Sequence, residues 1–349
     1  MYSLNLLHET QLGCDCLDAW EASKNALENV LEAVDGERII IVCDEERTDI
    51  GEAFANGALS IGLRTRLAIL QEPKAFRTEI PERLQEILNQ KPDIYINLLR
   101  GNREETPFRI KLIKTETHDH KARLGHCPGV TLDMLTEGAL ALTPEEHKSM
   151  QGHAERLIHA LEDTATVEIC NPTGTNLTLS TQKRKFFTDT KLDWKTLKWI
   201  NLPTGEVIVA PVEDSLNGKL VCDMAIGGIG KLRKPVEVTA KNGRVETVLS
   251  RDKDHLRRIE ETFATDDWSD VVGEFAFGIN PKARFVTEFL EAEKILGTVH
   301  VAFGENMDMP GGKNPSKNHM DLLISDPTVK VTKKDGETVT ILEKGCFQV

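Results

Sequence analysis

Four residues in the last quarter of the chain are of types that ligate metals. Glu274 lies in "VVGEFAFGINPKAR", His300 in "LGTVHVAFGENMDMPGGKNP", and His319 with Asp321 in "NHMDLLI". Each sits in a short apolar run that reads as a strand. Residues two apart in a strand point to one face, so His319 and Asp321 aim an imidazole and a carboxylate at one point. Such a set suits zinc, manganese, cobalt or iron, and several carboxylates extend its capacity to two ions. Singly, each is an ordinary polar residue near a strand end. Together they ask for more, because a charged group inside an apolar strand must find a partner or a metal.

The elements that position these residues divide near residue 163. The first part, 1–162, reads as an open α/β layer. A helical pattern at 17 to 34 ends at Asp35-Gly36, and "RIIIVCD" (38 to 44) follows as a fully apolar strand. A helix at 48 to 62, a strand at 66 to 70, a helix opened by Pro81, and a strand at 93 to 99 complete the alternation. That order implies parallel pairing with right-handed crossovers. It implies no nucleotide: "DEERTDIGEAF" after the first strand lacks the glycine fingerprint and places acids where a pyrophosphate would sit. "GGIG" (227 to 230) lacks the Lys-Ser or Lys-Thr of a phosphate loop and reads as a hairpin or bulge.

Thr143-Pro144-Glu145-Glu146 is a capping box with proline at the first helical position, opening a helix to about 162. Beyond it the pattern changes to strands at 166 to 172, 176 to 181, 205 to 212, 218 to 226 and 235 to 249, the last folded at Asn242-Gly243. A helix at 254 to 263 leads into the ligand-bearing strands. The expected class is α/β: an open parallel first domain (1–162) and a mixed, strand-rich α+β metal-binding catalytic domain (163–349).

The 349 residues suffice for two domains with substantial cores. A hydrophobic share of 40% with no long apolar stretch excludes a disordered chain and a spanning helix. The first residues carry no basic segment followed by an apolar run, so the expected location is the cytoplasm. Seven scattered cysteines fit reduced thiols, and Cys14 and Cys16 have no second pair to complete a zinc knuckle. A net charge of −13 argues against a nucleic-acid partner. No serine sits in a G-x-S-x-G elbow.

The run "NLPTGEVIVAPVEDSLNGKLV" (201 to 221), with "GEFAFGINPKAR", "LGTVHVAFG" and "GGKNPSKNHMDLL", resembles the aminopeptidase T (thermophilic leucyl aminopeptidase) metallopeptidase family, particularly its shorter members. "ARLGHCPGVTLDML" (122 to 135) is similar to that family's first-domain segment. The resemblance implies an α/β first domain, a metal-bearing second domain and a homodimer enclosing the active site. It further implies that Glu206, Glu274, His300, His319 and Asp321 hold two divalent ions, with Glu274 the candidate bridge. Glu206 is the addition, since "PTGEV" by itself reads as a turn opening a strand with a solvated glutamate. Two ions about 4 Å apart can hold a hydroxide, polarise an amide carbonyl and anchor a free amino terminus. The implied activity is release of the N-terminal residue of a small peptide or cleavage of a related small amide.

The chain departs from that pattern at one point. Longer family peptidases carry a tyrosine seven positions after the strand histidine, where this sequence has Met307. Its loop instead offers positive charge from Lys313 and Lys317, with Lys313 a carboxylate or oxyanion contact or a solvated lysine, and Glu305 or Asp308 as a base. The ring-cleaving dihydroxypyridine dioxygenases, which resemble the same fold, keep the His-x-Asp pair. They have histidine at the position of Glu274 and lack equivalents of Glu206 and His300. That alternative, a mononuclear non-haem iron dioxygenase, needs two histidines and one carboxylate. Among the remaining histidines, His118 and His120 line the cleft or form a surface turn, and His126 shapes the pocket or a dimer contact or is incidental. His147, His153 and His159 fall on the polar side of the capped helix and read as solvated.

Overall fold

The computed structural model describes residues 18–72, 75–117, 122–193, 197 and 199–349. Cys14, Cys16, His118 and His120 lie outside them. The class is mixed α/β, with one five-stranded parallel sheet and two antiparallel sheets.

The parallel sheet runs in the order Arg64–Leu70, Arg38–Asp44, Ile94–Leu98, Arg123–His126, Trp199–Asn201. Ile94–Leu98 is buried throughout and Arg38–Asp44 at all but its first residue, as strands covered on both faces must be. Helices Ala19–Asn29 and Thr48–Ile61 cover one face, with Leu27, Phe54 and Ala58 against Ile39, Ile41 and Ile96. Helices Glu82–Leu88 and Thr106–Thr117 cover the other, with Leu84, Phe108 and Leu112 around Ile40 and Tyr95.

The first helix is shorter than its apolar periodicity suggests. Glu32 turns into the left-handed region (φ 51°), and Ala33 N–H reaches back to the Leu27 carbonyl at 3.0 Å. That turn closes the chain back on the helix end while Val30 and Leu31 stay buried beyond it.

The second part is a pair of antiparallel sheets sharing one core. The eight-stranded sheet runs Arg244–Ser250, Val236–Lys241, Asn217–Cys222, Asn176–Ser180, Thr164–Cys170, Thr328–Lys333, Thr338–Glu343, Cys346–Phe347. The seven-stranded sheet runs Gly230–Lys231, Ala225–Ile226, His319–Ile324, Val299–Gly304, Val272–Gly278, Glu206–Val209, Phe187–Thr188. Val167, Ile169 and Val331 from the first meet Phe275, Phe277, Val301 and Phe303 from the second.

The single strand expected at 218 to 226 is two strands, one in each sheet. Asp223 sits at the crossing and accepts from Ser325 N–H and Oγ at 3.0 and 2.5 Å, which fastens it to the end of the His319–Ile324 strand. "GGIG" is a hairpin, with Ile226 opposite Gly230 and Gly228 at φ 72°. Asn242 and Gly243 (φ 49° and 79°) form the two-residue turn that mirror-image hairpins require.

The capping box at Pro144–Ala160 forms reciprocally: Glu146 N–H donates to Thr143 Oγ1 at 3.2 Å and Thr143 N–H to Glu146 Oε2 at 2.8 Å. Of that helix's histidines one is buried and another is half-buried. His147 is buried with neither ring nitrogen hydrogen-bonded among the described residues, and burial lowers it to about 4. His153 packs edge-on against Phe347 at 4.6 Å, because the C-terminal strand covers this side of the helix. His159 is exposed beside Glu162. His126 is buried edge-on to Trp199 at 6.0 Å, and burial lowers it to about 3. The five described cysteines are free, and no helix among the described residues is long and apolar enough to cross a membrane.

Glu116 stands in the core of the parallel layer with one donor among the described residues, Asn97 Nδ2 at 2.6 Å. Burial raises it from 4.5 to about 8. The folded state therefore holds this proton where the unfolded chain has released it. Stability attributable to Glu116 is intact below pH 4.5 and falls by at most about 1.4 kcal/mol per pH unit up to about pH 8. Glu116→Gln keeps the acceptor for Asn97 and should raise stability more at pH 8 than at pH 5, measured by urea unfolding at both.

Candidate metal centre

Five side chains converge on one face of the seven-stranded sheet. Register puts them there. Asp321 lies opposite Ala302, which lies opposite Glu274, so the two carboxylates flank a residue with no more than a methyl group. His300 pairs with Ala276, His319 with Gly304 and Glu206 with Gly278. The period of two thus sets Glu274, Ala276, Gly278 and His300, Ala302, Gly304 on the site face, and Phe275, Phe277, Val299, Val301 and Phe303 in the core behind. Small residues between the ligand-type side chains leave the trough in which those side chains meet.

The contacts form two triads that share Glu274. Its Oε1 lies 3.1 Å from His300 Nε2, and its Oε2 lies 3.2 Å from His319 Nε2. Glu206 Oε1 is 3.6 Å from His300 Nε2, and Asp321 Oδ1 is 3.0 Å from His319 Nε2 and 3.9 Å from His300 Nε2. Ligand atoms of Glu206, Glu274 and His300 lie within 4.8 Å of one another, as do those of Glu274, His319 and Asp321. Glu206, which reads from its local sequence as solvated, is buried.

Electrostatics make this face demand positive charge. Burial pushes Glu206 well above the ordinary carboxylate range, against the opposing field of Lys294. Burial acts to lower His300, but Glu206 and Glu274 outweigh it and push the imidazole up to about 10. Burial likewise acts to raise Glu274, and His300 and His319 hold it well below the usual range.

Glu206 is positioned by a group of residues that sequence reasoning missed. Asp189 Oδ1 accepts both Gly205 N–H and Glu206 N–H, at 2.9 and 2.7 Å. Lys294, buried, donates through Nζ to Glu206 Oε2 and lies 3.0 Å from Glu293 Oε1 and 3.4 Å from Asp189 Oδ2. In "LEAEKILG" the pair Glu293-Lys294 has the look of any solvated charged turn, so the sequence carries no signal of it.

The two side chains expected to act on substrate sit on the loop after His300. Glu305 carboxylate accepts from Met307 N–H at 2.8 Å, while its backbone carbonyl lies 2.8 Å from His319 Nδ1. A carbonyl only accepts, so Nδ1 carries hydrogen and Nε2 is the atom free to ligate. Lys313 is exposed, and its backbone N–H holds Glu213 at 2.8 Å. Met307 is exposed on the same loop.

A family model described as thermophilic metalloprotease (M29) matches residues 143–347, a span that contains all five clustered side chains. The chain belongs to that family. Two solved structures share the fold across nearly the whole length. Wild-type AmpT from Thermus thermophilus is 16% identical with a TM-score of 0.69, covering 95% of this chain and 99% of that one. The 2,5-dihydroxypyridine dioxygenase from Pseudomonas putida KT2440 is 14% identical with a TM-score of 0.63, covering 94% and 96%. Among curated proteins there is no match.

Gly205 sits at φ 134°, and a Cβ there would meet Asn280 Cβ at 2.5 Å. Gly205→Ala in this M29 chain should therefore lose roughly 1–3 kcal/mol in urea unfolding. It should also weaken metal retention, because the strained backbone is the one that Asp189 holds in register with Glu206.

Proposed function

We propose that this M29 chain is a metal-dependent hydrolase of the aminopeptidase type, which releases the N-terminal residue of a small peptide or cleaves a related small amide. The observation that carries the reading is the shared carboxylate: Glu274 turns one oxygen to each of two histidines, so that two triads meet on it. In this reading Glu206, Glu274 and His300 hold one divalent ion, and Glu274, His319 and Asp321 hold a second. The donor set suits zinc, cobalt or manganese, with iron also accommodated.

The residues fit such ions. Glu206 Oε1 is buried with no hydrogen-bond partner among the described residues, and it faces into the cluster. The carboxylates of Glu206, Glu274, Asp321, Asp189 and Glu293 against the single ammonium of Lys294 leave four negative charges, which two divalent cations match. When bound, the ions supply Lewis acidity and lower the pKa of water.

The chain's own residues do the rest. The five ligands fix where an amide carbonyl and a free amino terminus are held, and the apolar sheet behind them keeps out water from that side. Glu305, raised by burial and by Asp308, is suited to take and return a proton at the site's edge. Lys313 on the same loop supplies positive charge for a carboxylate or an oxyanion. The dioxygenase alternative needs a histidine at position 274 and leaves Glu206 and His300 without a role. The metal-bearing part spans 163–349, except that strand Trp199–Asn201 pairs in the parallel sheet. Assembly as a homodimer in the cytoplasm belongs to the same proposal, and sedimentation of a monomer at micromolar concentration removes the dimer.

Metal analysis after purification without chelator should find two equivalents, and His319→Ala or Asp321→Ala should lose metal and activity yet keep the circular dichroism of a folded protein. One iron per chain with oxygen consumption on a hydroxylated ring would establish the oxygenase instead. With Met307 in place of a hydroxyl donor, leucyl p-nitroanilide should turn over slowly, about a hundred-fold below a tyrosine-bearing enzyme. Met307→Tyr should raise that rate, and Lys313→Ala should impair short acidic amides most. Brisk wild-type leucyl cleavage untouched by either change would remove the roles given to both positions.

A further inference from the structure

The two oxygens of Glu206 are treated unequally. Oε2 is taken by the Lys294 ammonium, and Oε1 faces His300 Nε2 at 3.6 Å with no hydrogen-bond partner among the described residues. The backbone beneath is fixed separately, by Asp189 Oδ1 on the N–H groups of Gly205 and Glu206. Lys294 is itself held: its N–H donates to the Glu291 carbonyl at 3.1 Å, its own carbonyl accepts from Asn280 N–H at 2.9 Å, and Glu293 Oε1 lies 3.0 Å from Nζ. A buried lysine at such a place would lose its charge without acids around it, and three surround it.

We propose that Lys294 is a positioning residue for the deeper metal: it clamps Glu206 so that Oε1 alone is presented to the ion bound by Glu206, Glu274 and His300. The inference rests on the dinuclear reading above. A carboxylate with both oxygens free can rotate or chelate through both, whereas one pinned through Oε2 offers a single lone-pair direction at a fixed place. Holding ligands in orientation through their outer partners is commonly worth 10- to 100-fold in metal affinity.

Charge and geometry pull in opposite directions here, and this makes the role testable. Removing a positive charge close to the site strengthens cation binding by Coulomb attraction; releasing Glu206 weakens it. In Glu293→Gln/Lys294→Met the cluster's net charge is unchanged, so only positioning is altered. Metal content after gel filtration, competition with a chromophoric chelator, and the visible spectrum of the cobalt-loaded protein would be measured for the wild type, K294M, E293Q and the E293Q/K294M pair. The expected result is two equivalents in the wild type and E293Q. The double variant should be folded, with one equivalent bound at least ten-fold more weakly and an altered cobalt spectrum.

If the double variant keeps both ions at wild-type affinity with an unchanged spectrum, Lys294 is a neutralising group only and the proposal falls. Weaker binding in K294M, despite its lost positive charge, supports the clamp; tighter binding in both variants overturns it. If K294M does not fold, the charge-balanced pair carries the decision. A wild type that takes up fewer than two ions removes the dinuclear reading itself, and the clamp with it, which separates the two failures.

Discussion

Negative charge crowded onto a buried sheet face is the constraint from which much of the second part follows. A carboxylate withdrawn from water without compensation is among the most costly groups a fold can hold. Glu206, Glu274, Glu293 and Asp189 are all buried within a few ångströms of Lys294 or the two histidines. The sheet tolerates them because the Lys294 ammonium and two imidazoles are brought to the same place. The core behind, built from Phe275, Phe277, Val301 and Phe303, supplies the stability that such a site consumes.

That place is fixed by the parallel layer as well as by the strands that carry the cluster. Asn280 Nδ2 donates to the Ala139 and Thr204 carbonyls, at 2.9 and 2.8 Å, joining the layer's last turn to the segment that leads into Glu206. Arg284 spans from Asp133 to Glu291, and Glu291 Oε1 also accepts Ala139 N–H. The short helix Phe289–Ala292 that precedes Lys294 is thereby anchored to helix Leu132–Thr136. The geometry around Glu206 depends on contacts made some 70 residues earlier in sequence.

What was legible in the sequence follows from which forces act locally. The strands bearing Glu274, His300 and His319 stand out because apolar alternation is a short-range pattern, and the capping box and Asn242-Gly243 because caps and tight turns are decided by a few adjacent residues. Glu206 came only through a family resemblance, since nothing near it distinguishes a solvated glutamate from one beneath Lys294. His147 escaped for a similar reason: its burial is set by how the rest of the fold closes over helix Pro144–Ala160. The division of 217 to 226 between two sheets is invisible to periodicity, because both pieces remain apolar and extended.

Exposure across the cluster is graded, and the grading assigns each part of it a different task. Glu206, Glu274 and His300 are almost fully enclosed, whereas the His319 side chain is 32% exposed. Anything arriving from solvent meets His319 and Asp321 first. The loop carrying Glu305, Met307 and Lys313 lies on that open side, because Glu305 N–H pairs with the Asn318 carbonyl and its own carbonyl orients His319. A change deep in the cluster must therefore act through the geometry of the buried carboxylates and imidazoles. A change in the loop acts on whatever approaches, and it can alter substrate preference while the buried carboxylates and Lys294 stay as they are.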